Sequence, residues 1–265
     1  MPLNTYVQEA FDQKTVLKTI IGIDKLRVQD VVSKAQAAEI GGATYVDIAA
    51  NTSLVHAVRS VTSIPICVSS ICIEELMTCY DNGVDMLEIG NFDIFYSGGI
   101  RLLPEHIIKI TSTLRLYADQ ASICVTIPCY LGLREQVHLA QHVEKLGVDI
   151  IQTEGYVSKY SADKNVYHPV IKASSTLAST LALRNCIKLP VITSSGINSL
   201  TAPMAISSGA SGVGISSAFN GFNANIDLIE EVNEVVYSIQ TNKTYNQKLK
   251  SCELVKDPLQ VSSKV

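Results

Sequence analysis

Three carboxylates, Asp47, Glu88 and Glu154, stand inside short apolar runs where little water can reach them. An ionised acid in a dry interior costs several kcal/mol unless it is paired. Such residues either close into an ion network or meet a ligand, and a positioned carboxylate can move protons as a general acid or base. A second set has the opposite character. Ser195, Gly196, Gly214, Ser216 and Ser217 lie between Lys188 and Asp227, a stretch of 38 positions without a charged residue. Small residues let backbone N–H groups close around an oxyanion, and a helix start adds its dipole, so phosphate can be held there without a lysine. The two sets together fit proton transfer on a small phosphorylated molecule.

Both sets belong to a recurring unit. Gly42-Ala-Thr-Tyr-Val-Asp47, Gly83-Val-Asp-Met-Leu-Glu88, Gly147-Val-Asp-Ile-Ile-Gln152 and Gly209-Ala-Ser-Gly-Val-Gly214 each follow an amphipathic stretch whose C-cap the glycine marks. β-Branched runs at Thr19–Ile23, Pro65–Ser69, Ile123–Ile127 and Pro190–Ser194 supply four more strands. Helical patterns fill the gaps, among them Val28–Ile40, Glu74–Asn82, Pro104–Tyr117, Arg134–Leu146, Ser199–Ser208 and a last one near Ile226–Gln240. Eight strands alternating with eight helices predict an α/β fold with a parallel, closed sheet, the (β/α)8 TIM barrel. A doubly wound sheet is the other solution, but no GxGxxG follows the first strand. The barrel is placed at residues 1–242 and a polar C-terminal tail at 243–265.

Strand parity then sorts the side chains. Counted from each glycine, places four and six are Val46/Ile48, Leu87/Ile89, Ile151/Thr153 and Val213/Ile215, suited to packing against the helices. Place five (Asp47, Glu88, Gln152, Gly214) and place seven (Ala49, Gly90, Glu154, Ser216) must face the axis, each set as one layer of four. Lys18 has the parity to join the lower layer. That layer is open to two readings: a satisfied buried network with Lys18 balancing the charge, or catalytic and substrate-binding groups at the C-terminal strand ends. Glu154, with small neighbours in its layer, is expected to face open space and to act as the acid/base. Asn91 at the rim of strand four, Gln152 and Lys18 are the candidate substrate contacts. The loops at 91–103, with Tyr96, Gly98, Gly99 and Arg101, and at 155–168, with Lys159 and Lys164, are long and emerge at the same face, as lids do.

Composition narrows the function classes. With 21 basic and 25 acidic residues the net charge is −4, so there is no basic surplus for nucleic acid or anionic lipid. The charge-free stretch is broken by Pro190, Pro203 and several glycines and serines, and is not read as a membrane span. Residues 1–18 lack the apolar core of a secretory signal. Seven cysteines without a CxxC pair point to a reducing compartment. His138 and His142 lie four apart on a peripheral helix with no third ligand nearby, so no metal is expected. Cys129 falls at the active face with no base beside it in the sequence.

The Ser195-Gly196 and Gly214–Phe219 segments resemble the standard phosphate-binding barrels, among them the phosphoribosylanthranilate isomerase, indole-glycerol-phosphate synthase, thiazole synthase and N-acylmannosamine-phosphate epimerase families. Those families carry two glycines after the seventh strand, where this chain has Ser195-Gly196. A longer resemblance covers nearly the whole chain. Ala38–Asn51, Cys67-Val-Ser-Ser70, Glu88–Tyr96, Cys124-Val-Thr-Ile-Pro128 and Asp149–Gly155 are similar to the hypothetical chloroplast reading frame 23 family of algal plastids and cyanobacteria. That resemblance implies an aldolase-type barrel in the plastid stroma and no particular reaction.

Three functions follow as alternatives. The favoured one is an isomerase or lyase acting on a small phosphorylated metabolite, with no required cofactor. The second is an FMN-dependent oxidoreductase, because barrels also hold the flavin phosphate at these loops. The third is a non-catalytic metabolite-binding or regulatory barrel. Substrate identity, and whether the chain forms a homo-oligomer, are left open.

Overall fold

The computed structural model describes residues 3–90, 92–96, 98–155, 168–216 and 224–254. Eight parallel strands follow one another around a closed barrel: β1 Val16–Gly22, β2 Tyr45–Ala49, β3 Ile66–Ser70, β4 Met86–Ile89, β5 Ile123–Ile127, β6 Ile150–Thr153, β7 Val191–Ser194 and β8 Gly212–Ile215. β8 pairs back onto β1, with Lys18 opposite Gly214. The chain thus forms the expected (β/α)8 barrel. The helices are α1 Thr5–Asp12, α2 Val28–Gly41, α3 Thr52–Arg59, α4 Ile73–Asp81, α5 Asp93–Tyr96, α6 Pro104–Tyr117, α7 Leu133–Lys145, α8 His168–Arg184, α9 Ala202–Ser207 and α10 Asn225–Leu254. Among the described residues, no helix is long and apolar enough to cross a membrane.

Three boundaries differ from the sequence reading by three residues or more. β1 starts at Val16 rather than Thr19, because Lys18 is a strand residue whose charge is met inside the barrel. α9 starts at Ala202 rather than Ser199, because the Asn198 side chain caps the N–H groups of Leu200 and Thr201 in a turn first. α10 continues to Leu254, past Gln240. Two helices lie where the sequence reading gave none, α5 inside the 91–103 loop and α1 ahead of the first strand. α1 turns Val7 and Phe11, four residues apart on one face, onto the N-terminal end of the barrel. There they form one apolar cluster with Val16, Tyr45, Cys67, Met86, Cys124, Ile150 and Ile192. The outward strand residues Val46, Ile48, Leu87, Ile89, Ile151, Val213 and Ile215 belong to the larger core between sheet and helices.

The recurring unit has a physical basis at this lower end. Gly42, Gly83, Gly147 and Gly209 all adopt positive φ, +93°, +75°, +84° and +105°, which a side chain would strain. Two places on, the N–H groups of Thr44, Asp85, Asp149 and Ser211 donate to Leu17, Ile66, Ile123 and Val191, tying each even strand to its predecessor. The Thr44 hydroxyl and the Asp85 and Asp149 carboxylates also accept from the N–H of Leu17, Ile66 and Ile123, at 3.0, 2.9 and 2.8 Å. Arg59 then binds both Asp85 and the Gly83 carbonyl, each at 3.1 Å. Arg115 does the same with Asp149 at 2.9 Å and the Gly147 carbonyl at 2.6 Å. Arg184 packs over Gly209 in the corresponding place.

Removing a shared acceptor leaves a strand-end N–H without its partner. Asp85→Ala is therefore expected to lower the unfolding free energy by about 1–3 kcal/mol, read from urea denaturation; wild-type stability would show that water serves the Ile66 N–H equally well.

Candidate active site

The middle of the barrel is a closed polar network. The Lys18 ammonium, with no solvent exposure, lies 2.9 Å from Asp47 Oδ2 and 2.8 Å from Gln152 Oε1, and it also donates to Glu88 Oε2. Its three N–H bonds are thereby used. Gln152 donates to Glu88 Oε1 at 2.9 Å and to Thr126 Oγ1 at 3.0 Å, and Thr126 donates to Glu88 Oε1 at 3.0 Å. Ser69 donates to Asp47 Oδ1 at 2.6 Å. Asp47, Glu88, Gln152 and Lys18 are thus brought together, bonded to one another. Thr153, expected to face outward, does so, meeting the hydroxyl of Thr176 on α8 at 2.6 Å.

Burial alone would lower the Lys18 pKa, but the Asp47 and Glu88 charges outweigh it and hold the ammonium well above the usual lysine range. Two carboxylates facing one cation leave an excess negative charge. Burial and the Glu88 charge raise Asp47, against the pull of Lys18, to about 6.

Glu154 lies above this network, at the C-terminal mouth. It is 5% exposed rather than facing open space. The Tyr96 hydroxyl, from α5 in the loop after β4, donates to Oε2, and so does the Cys129 N–H after β5 at 3.3 Å. The Cys129 thiol is pushed up to about 12 by burial and by the Glu154 charge, so it is held as the neutral thiol beside that carboxylate. The Tyr96 ring stands edge-on to Tyr130, with centroids 5.6 Å apart, and Arg101 lies 5.5 Å over the Tyr130 ring. Sequence reasoning placed Tyr96 and Arg101 in a loop but did not connect them to Glu154, and it set Cys129 aside for want of the base that β6 supplies.

The turn after β7 comes close to this acid. Ser195 and Gly196 take positive φ of 74° and 73°. Ser195 thus sits where non-glycine residues rarely do, a strain found mostly at binding and catalytic turns. Gly196 presses on the backbone of α8 at Lys172 and Ala173, where a Cβ would come within 2.9–3.0 Å. A Cβ at Gly155 would meet Ser195 Cβ at 3.1 Å, so the residue next to Glu154 abuts the turn. Among the described residues, the N–H groups of Ser195 and Gly196 have no hydrogen-bond acceptor. Gly214 lies deeper than the expected phosphate cradle. It is a strand residue registered with Lys18 and Ser194, and a Cβ there would meet Ser194 Cβ at 2.9 Å and Ile20 Cδ1 at 3.1 Å. Its bareness serves interior packing, and the β8 end of the mouth begins at Ser216. Asn91, Ser217, Lys159 and Lys164 lie outside the described residues. His138 and His142 face solvent from α7.

A family model described as "Protein of unknown function (DUF561)" matches residues 3–245. The chain belongs to the DUF561 family. Within it, the uncharacterized protein ycf23 of Porphyra purpurea is 37% identical over 249 residues, covering 94% of each chain. Among solved structures, this DUF561 barrel is similar to 3-hexulose-6-phosphate synthase from Salmonella typhimurium, with a TM-score of 0.61 at 14% identity over 86% of this chain and 99% of that one. It is also similar to (S)-3-O-geranylgeranylglyceryl phosphate synthase from Thermoplasma acidophilum, solved with sn-glycerol-1-phosphate: TM-score 0.58, 14% identity, 89% of this chain and 98% of that one. At these identities the likeness shows the fold.

Two measurements test the network. Lys18→Met strands two buried acids and is expected to cost about 3–5 kcal/mol of unfolding free energy. The Asp47 carboxyl, raised to about 6 in the folded chain, binds its proton more tightly than when unfolded. Its stabilisation is complete below about pH 4 and lost as pH rises through about 6. Wild-type stability minus that of Asp47→Asn should therefore fall by about 3 kcal/mol across that window; a flat difference would place the Asp47 titration back in the ordinary range.

Proposed function

We propose that this chain binds a small phosphorylated metabolite at the C-terminal mouth of the barrel and carries out isomerase- or lyase-type acid–base chemistry on it. The observation that carries the reading is the closeness of a buried acid to a strained turn whose N–H groups have no acceptor among the described residues: a Cβ on Gly155, next to Glu154, would meet Ser195 Cβ at 3.1 Å. The N–H groups of Ser195 and Gly196 anchor the phosphate, with Ser216 just past the end of β8, and Glu154 is the general acid/base. Asp47, Glu88 and Gln152, bonded to Lys18, form the floor beneath the ligand. Phosphorylated compounds named with barrels of similar fold, sn-glycerol-1-phosphate and hexulose 6-phosphate, support the ligand class. The name ycf23, that of a chloroplast reading frame, supports a place in the plastid, which we assign to the stroma.

Native mass spectrometry of the protein purified from its own compartment is expected to show a bound phosphorylated small molecule. Glu154→Gln should keep affinity for that compound and lose turnover by about 10²–10⁴-fold, whereas Gly196→Val, which forces a side chain into α8, should lose the affinity. A wild-type protein that binds neither inorganic phosphate nor any phosphorylated compound would overturn the reading, and bound FMN would replace it with flavin chemistry.

A further inference from the structure

Tyr96 has no part in the floor of the barrel, yet it is placed with care. It comes from α5, between β4 and β5, and donates to a carboxylate oxygen 58 residues later in the chain. Its ring is steadied edge-on by Tyr130. Tyr130 is itself fixed by donating to the Leu102 carbonyl and by Arg101 over its face. The same Glu154 oxygen accepts the Cys129 N–H at 3.3 Å. Among the described residues, the donors to this carboxylate include one from the main chain, which stays, and one at the tip of a side chain on a short loop helix, which can change partner.

That pairing matches a specific chemical need. A base that takes a proton from carbon beside a carbonyl drives negative charge onto the carbonyl oxygen, two bonds from the carbon attacked. The barrier falls if a hydrogen-bond donor stands ready for that oxygen. Donor and base must then lie side by side, as Tyr96 and Glu154 do. Burial, followed by the charge of Glu154, raises the Tyr96 phenol, so it remains protonated and serves as a donor.

We infer that Tyr96 is a catalytic residue whose hydroxyl moves from Glu154 to the substrate oxygen, and that the substrate is a phosphorylated α-hydroxy aldehyde or ketone. This rests on the acid–base reading of Glu154 above. Glu154 takes the proton from the hydroxyl-bearing carbon. The C–H electron pair becomes the C=C bond of an enediolate, and the C=O π pair moves onto the oxygen held by Tyr96. The proton on Glu154 then passes to the former carbonyl carbon. The neighbouring hydroxyl gives its proton to the first oxygen as the new carbonyl forms, so one hydrogen has crossed between carbons, one between oxygens, and no electrons have left the substrate. The Cys129 N–H holds the carboxylate throughout.

The test uses the full chain and three probes: inorganic phosphate, glycerol 3-phosphate, and phosphoglycolohydroxamate, which presents a phosphate joined to an enediolate-like group. Calorimetry on the wild type is expected to show the hydroxamate binding at least about 100-fold tighter than glycerol 3-phosphate, as intermediate mimics do. Tyr96→Phe, which keeps the ring against Tyr130, should lose about tenfold or more of that preference with inorganic phosphate affinity unchanged. An equal preference in Tyr96→Phe would overturn the role of Tyr96. A wild type that binds phosphate but does not favour the hydroxamate would overturn the enediolate chemistry alone, and one that binds none of the three would overturn the phosphate reading as well. If Tyr96→Phe melts early, the wild type carries the test: the hydroxamate, unlike phosphate, should perturb the tyrosine absorption band, and an unperturbed band overturns the inference.

Discussion

The Lys18 ammonium is bound by side chains from β2, β4 and β6, and each of those side chains relies on it in return. A lone charge at that depth would cost far more than a single domain's net stability can absorb. The cost is met by arranging opposite charge and hydrogen bonds around it, down to the hydroxyls of Ser69 and Thr126. Such an arrangement also selects one register. A slip of one residue in β2, β4 or β6 would turn Asp47, Glu88 or Gln152 to the apolar side and leave the lysine one partner short. The same network that is costly to build thus rejects the wrong alignments.

Above it the wiring changes character. The partners of Lys18 are strand residues, fixed by the ladders of the barrel, whereas the donors to Glu154 come from the connections after β4 and β5. Strands and connections differ in how much it costs to move them. The floor can therefore hold still while the groups over the acid rearrange. Gly214 belongs to the fixed part: its missing side chain lets Ser194 and Ile20 close in beside Lys18.

The fold could be read from the chain because its unit repeats and because parity is arithmetic. Once Gly42, Gly83, Gly147 and Gly209 set the phase, the inward placing of Asp47, Glu88 and Gln152 follows, as does the outward placing of Ile48, Ile89 and Thr153. Parity sets Gly214 in the layer of Asp47 and Glu88, where the register pairs it with Lys18, but parity alone does not say whether a bare position holds a ligand or serves packing. Nor does it say what folds over an inward residue. Tyr96 and Cys129 reach Glu154 across 58 and 25 positions through segments with no period. α1 escaped notice because two apolar residues amid polar neighbours make too faint a stripe. Only the hollow end of a barrel gives Val7 and Phe11 something to cover.

That small helix has a consequence of its own. With Val7 and Phe11 seated among Tyr45, Met86 and Ile150, one end of the cylinder is stoppered by hydrocarbon, and the polar layer seals the middle. The ligand proposed above then enters and leaves from the mouth side, past the same tyrosines. In such a vessel the residues that frame the threshold govern residence time as much as recognition.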